Sequence, residues 1–154
     1  MFPRGISLIT LGVDDLDRAR AFYAALGWEA TLAPGGVVFI QLAGQVLALW
    51  GRAELAADQQ RAPADLGTGA MALARNFPSE AAVDAAFAAA LAAGAKALKP
   101  PVRADWGGYA GYFADPDGHV WELAFNPAWP LAADGTLTLP GPDSEADSEA
   151  DGGA

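Results

Sequence analysis

The chain has 154 residues, is 53% apolar and carries a formal net charge of -10, enough for one domain with a real core and too little for two ordinary ones. That acidity argues against nucleic acid or an anionic membrane surface as partner; no segment approaches the roughly 20 apolar residues of a spanning helix, and the N-terminus lacks a signal-peptide layout. The chain has no cysteine, which excludes disulfides and thiolate chemistry, and a cytoplasmic location is the expectation.

Residues 5–13, GISLITLGV, form an apolar run that suits a buried strand. Asp15 is placed to cap a helix from Leu16 to Leu26, where Leu16, Ala19, Phe22, Tyr23 and Leu26 recur at spacings of three and four. Gly27 closes that helix. Trp28 to Leu32, Val37 to Leu42 and Gln45 to Trp50 then read as three short strands, separated by Pro34-Gly35-Gly36 and Ala43-Gly44. Residues 53–67 lack clean periodicity and read as a linker with room for one helical turn.

The pattern then returns. Gly69 to Ala74 is a strand candidate, Ser79 caps an alanine-rich helix from Ala81 to Ala93, and Gly94 stops it. A strand from Lys96 to Lys99 is expected to break at Pro100-Pro101. Trp106 to Pro127, WGGYAGYFADPDGHVWELAFNP, reads as a loop and a hairpin, with strands Ala110 to Ala114 and Val120 to Asn126 about the turn Asp115-Pro116-Asp117-Gly118. Each half is thus β, α, β, β, β. The reading is one domain over residues 1–130, with module one at about residues 4–52 and module two at about 68–127. Residues 131–154 are sparse and then acidic, and 140–154 are expected to be disordered.

Three groups of side chains carry candidate chemistry. Glu122 stands between Trp121 and Leu123 in an apolar strand, where an isolated carboxylate is costly to bury. It reads as a hydrogen-bonded cavity residue, as a ligand-recognition or general-base group, or as a metal ligand. His119, the single histidine, follows the turn glycine and is expected as a turn residue at the hairpin end. Trp106 and Tyr109 flank glycines in a loop and are candidates for a cavity rim that stacks on a flat ligand. Most remaining aromatics, Phe22 and Tyr23 among them, are expected in the core, with Trp50 and Phe113 also counted as cavity candidates.

Asp14-Asp15-Leu16, Arg20-Ala21-Phe22-Tyr23 with Leu26-Gly27, and Tyr112-Phe113-Ala114-Asp115-Pro116-Asp117-Gly118-His119 with Trp121-Glu122-Leu123 follow one another in that order. Over about residues 4–127 this resembles the vicinal oxygen chelate superfamily, the glyoxalase, bleomycin resistance protein and extradiol dioxygenase fold. The resemblance implies an α+β fold of two βαβββ modules forming a concave, partly closed mixed sheet, a cavity for a small molecule, and a homodimer. For metal-using members it implies ligands on the first and last strands of the modules. Glu122 matches one such position, but the first-strand positions fall at Leu8 and at Ala70 or Met71, which cannot bind a divalent ion. The expectation is therefore a small-molecule-binding protein without a metal or other cofactor. Its ligand-binding residues would be Leu8, Trp50, Trp106, Tyr109, Phe113 and Glu122. The alternative is an enzyme of the lyase, isomerase or dioxygenase kind. In that reading Glu122 is base or divalent-metal ligand, and Gln41, Gln45 or a partner chain supply the missing groups.

Overall fold

A computed structural model of the protein describes residues 6–139 apart from Pro34, Gly69 and Trp106. In the first half β1 (Leu8–Val13), α1 (Leu16–Ala25), β2 (Ala30–Ala33), β3 (Val37–Gln41) and β4 (Val46–Gly51) build a sheet of order β1-β4-β3-β2. Only the β1–β4 pair is parallel. After α2 (Arg52–Asp58) and a single 3-10 turn at Pro63–Asp65, the second half follows. It comprises β5 (Ala72–Asn76), α3 (Glu80–Ala92), β6 (Lys96–Arg103), β7 (Tyr109–Ala114) and β8 (Val120–Phe125). Its sheet, β5-β8-β7-β6, repeats the same order with the same single parallel pair, β5–β8. The architecture is two βαβββ modules whose four-stranded mixed sheets do not close on one another.

Each helix starts where a side chain satisfies an orphan backbone donor. Asp15 Oδ1 accepts from Arg18 N at 2.9 Å before α1, and Ser79 Oγ accepts from Ala82 N at 3.2 Å before α3. Strand alternation then sorts the side chains onto two faces. Leu11, Val13, Val38, Ile40, Leu47 and Leu49 turn towards Phe22 and Tyr23 of α1. Phe113, Trp121 and Leu123 turn towards Val83 and Phe87 of α3, and both sets merge into one core. Each such side chain contributes roughly 1.5–3 kcal/mol by leaving water. Leu8, Thr10, Trp50, Tyr112 and Glu122 are left on the faces away from α1 and α3, and α2 packs on the first of these faces at Gly12.

Three elements differ from the sequence expectation, for identifiable reasons. β6 runs straight through Pro100-Pro101 because it is an edge strand, where a missing N–H removes no ladder bond. Its register against β7 shifts on both sides of Lys99, and at Gly111 a Cβ would lie 2.7 Å from Pro101 N, so only glycine fits opposite Pro101. β5 begins at Ala72 rather than at Gly69, set by its pairing Ala72↔Val120 with β8. The expected linker holds α2, which buries Leu55 and Ala56. The segment after Pro130 folds back on itself through a Leu131↔Leu137 bridge, while residues 140–154, expected as disordered, lie outside the described residues.

The hairpin turn fastens the two modules together. Asp115 is 3% exposed, and its carboxylate accepts from Tyr23 OH at 2.7 Å, from Asp117 N at 3.0 Å and from His119 N at 2.8 Å. Trp121 Nε1 in turn donates to Tyr23 OH at 3.2 Å. Burial first, and then the charge of Asp115, push the Tyr23 phenol far above its ordinary range. Asp117 Oδ1 accepts from Asp14 N and from Arg18 Nη2, each at 2.7 Å, placing a carboxylate at the N-terminus of α1. His119 Nε2 lies 2.9 Å from Gly12 O. A carbonyl only accepts, so that nitrogen carries the proton.

Candidate functional site on the outer face of the second sheet

Glu122 lies in a row that crosses all four strands of the second sheet. Ala74 of β5 is its partner on one side and Tyr112 of β7 on the other, with Lys99 of β6 beyond Tyr112. Tyr112 OH donates to Glu122 Oε1 at 2.8 Å, and Lys99 Nζ stands 6.0 Å from the centroid of the Tyr112 ring. The hydrogen bond to Glu122, reinforced by burial, pushes the Tyr112 phenol up from its usual range, so it stays a neutral donor at physiological pH. Glu122 is only half-buried, and its second oxygen has no hydrogen bond to the described residues. A held carboxylate with one open oxygen can accept from a donor or cationic group of a ligand, or take a proton from one.

The other expected ligand residues do not gather around this row. Tyr109 and Phe113 have the opposite parity on β7 and face α3. Tyr109 OH donates to Asp84 Oδ1 at 2.8 Å, which raises the phenol, and Phe113 stacks on Trp121 inside the core. Leu8, 47% exposed, and Trp50, whose indole N–H is buried without a partner among the described residues, belong to the outer face of the first sheet. Trp106 lies outside the described residues. Reading the sequence missed Tyr112 and Lys99. The signal was there: the turn at Asp115–Gly118 pairs Ala114 with Val120, and counting back two residues sets Tyr112 opposite Glu122. His119 lines a separate cavity of about 510 Å³ between the modules with Arg52, Thr10 and Thr68, and its ring points at Gly12 rather than at Glu122.

Comparison with known proteins decides the family. The family model for the glyoxalase/bleomycin resistance protein/dioxygenase superfamily matches residues 5–123. The chain belongs to that superfamily. A solved glyoxalase-related enzyme from Fulvimarina pelagi is 39% identical with a TM-score of 0.82, the match covering 90% of this chain and 100% of that one. A lactoylglutathione lyase from Agrobacterium tumefaciens is 29% identical with a TM-score of 0.62, covering 80% and 95%. A glyoxalase/bleomycin resistance protein/dioxygenase from Nocardioides is 26% identical with a TM-score of 0.66, covering 81% and 85%. Among curated proteins none matches.

The superfamily fold implies a divalent-metal site, and the donors present do not fit one. No group of three or more histidine, cysteine, aspartate or glutamate side chains converges among the described residues. Glu122 has a phenol and an alanine beside it, and Leu8, Ala70 and Met71 offer no donor atom on the side chain that a hard or borderline cation prefers. Also among the described residues, no helix is long and apolar enough to cross a membrane.

Proposed function

We propose that this superfamily member binds a small apolar or aromatic molecule without the help of a metal ion, using the Glu122 row as its polar anchor. One observation carries the reading. Glu122 is fixed by Tyr112 at 2.8 Å and keeps an open oxygen, yet among the described residues it belongs to no group of three acids or histidines that could hold a cation. A ligand with a flat apolar body and one donor or cationic group matches that surface. Leu8 at 47%, Phe39 at 36% and Val102 at 45% exposure leave apolar surface on the outer faces. A second copy of the chain covering those faces would complete the cavity, so the functional unit in this reading is a homodimer, located in the cytoplasm.

A second reading is favoured by the Fulvimarina relative, which is described as a glyoxalase-related enzyme. There Glu122 acts as general base in a lyase or isomerase reaction, with Tyr112 orienting it. Elemental analysis of purified protein after incubation with zinc, nickel or manganese tests the main reading, together with calorimetric titration by a small aromatic ammonium ion. The expected result is no stoichiometric ion and a saturable aromatic cation lost in Glu122→Gln. A one-to-one divalent ion that disappears in Glu122→Ala would overturn it.

A further inference from the structure

The inner side of β5 and β8 borders an apolar cleft that the Glu122 row does not use. It has a volume of about 230 Å³ and lies where the end of α1, α3 and the second sheet meet. Trp28, Phe77, Phe113 and Trp121 form its aromatic walls. The remaining wall is α3, where Ala86, Ala89 and Ala90 face the space. Alanine forms helix well without packing help, and its short side chain leaves the gap that a leucine would fill. An engineered apolar cavity of about 150 Å³ already takes up benzene, so this one admits a larger ring system.

Arg75 stands at the edge of this cleft and also borders two neighbouring ones. Its position is fixed from behind: Nη1 donates to Gly135 O at 3.0 Å, and Gly135 approaches so closely that a Cβ there would lie 2.5 Å from Nη2. Among the described residues the three salt bridges use Arg18, Arg52 and Arg103, so the exposed Arg75 guanidinium faces the cleft without a carboxylate. Glu29 borders the adjoining cleft beyond Trp28 without pairing to it. A fixed guanidinium beside an aromatic slot is complementary to an amphipathic anion.

We propose that this cleft is a binding site for an aromatic monocarboxylate, the ring system lying on the alanine face of α3 against Phe77 and the touching pair Trp28 and Trp121, and the carboxylate on Arg75. A single guanidinium matches a single negative charge, which favours a carboxylate over a phosphate dianion. The site lies across the sheet from Glu122 and does not depend on what Glu122 binds. Calorimetric titration of the full chain with 2-naphthoate and with methyl 2-naphthoate, a neutral ester without a donor for Glu122, tests it. Both bind saturably, the acid about threefold more tightly, the difference expected for a charge pair at an exposed guanidinium. Arg75→Gln abolishes that preference while leaving the ester unchanged. Ala86→Leu, which fills the slot on a helix it does not disturb, weakens both ligands. Glu122→Gln changes neither. The proposal is overturned by no saturable binding up to about 10 mM, by a preference that survives Arg75→Gln, by affinities unchanged in Ala86→Leu, or by loss of both ligands in Glu122→Gln, which would move them to the opposite face.

Discussion

Asp115 and Asp117 occupy the turn of the β7–β8 hairpin and Glu122 its second strand, within one short stretch of chain. Their surroundings could hardly differ more. The turn acids are enclosed by the first module, with Asp115 3% exposed and the Asp117 side chain fully covered. Between them they accept from Tyr23, Arg18 and three backbone amides. Glu122 meets one phenol and stays half open. The most recognisable sequence motif of the chain is therefore a clasp between modules, and the chemistry available to a ligand sits on the plainer strand beside it. Three variants separate the two roles.

The clasp should break with the largest effect. Asp115→Ala removes three accepted hydrogen bonds and leaves the buried Tyr23 hydroxyl without its acceptor, for a loss of roughly 3 kcal/mol. Urea unfolding should show the midpoint fall with an unchanged slope. A loss below about 1 kcal/mol would mean that the modules are held by the shared apolar core alone.

Tyr23→Phe comes next. It keeps the ring that packs on Phe22 and Trp28 but removes the donor to Asp115, costing about 1–2 kcal/mol near neutral pH. It also has a pH signature. Because the folded state holds the Tyr23 phenol far above the unfolded value, stability is fully present below about pH 10 and falls as pH rises beyond it. Above that point the unfolded chain releases a proton that the folded chain retains. Tyr109 and Tyr112 are raised as well, so the variant should lose stability less steeply than the wild type in alkaline urea melts rather than not at all. Parallel slopes would detach Tyr23 from the effect.

The fold was legible in the chain because its signals are local: alternating apolar residues, capping residues at Asp15 and Ser79, and a turn at Asp115–Gly118 whose residue types enforce the bend. What stayed hidden depends on neighbours distant in sequence. Pro100-Pro101 reads as a strand breaker until β6 is known to lie on an edge, and α2 is too short to show periodicity. Of the candidate site, the sequence shows Glu122 as an acid in an apolar strand but not its neighbours. The glycines beside Tyr109 read as a loop, whereas Tyr109 begins β7, and strand parity sends it and Phe113 to the α3 side and sets Tyr112 and Lys99 in the row of Glu122. Arg75 gave no sequence signal, since its role follows from a cleft that two modules and the segment at Gly135 create together.

The smallest effect is expected at the strand acid, and its smallness is informative. Glu122→Gln keeps an oxygen that accepts from Tyr112 OH and removes only a half-exposed charge. Unfolding free energy should therefore stay within about 0.5 kcal/mol of wild type. The phenol beside it should nevertheless respond. Its raised ionisation owes most to the hydrogen bond with Glu122 and also to that group's charge, so spectrophotometric titration should show one of the three tyrosines moving down towards the ordinary range. A variant that melts like Asp115→Ala would make Glu122 part of the clasp. A variant with unchanged stability and a shifted tyrosine keeps it as a side chain that the fold holds in place without needing it, which is what a binding group must be.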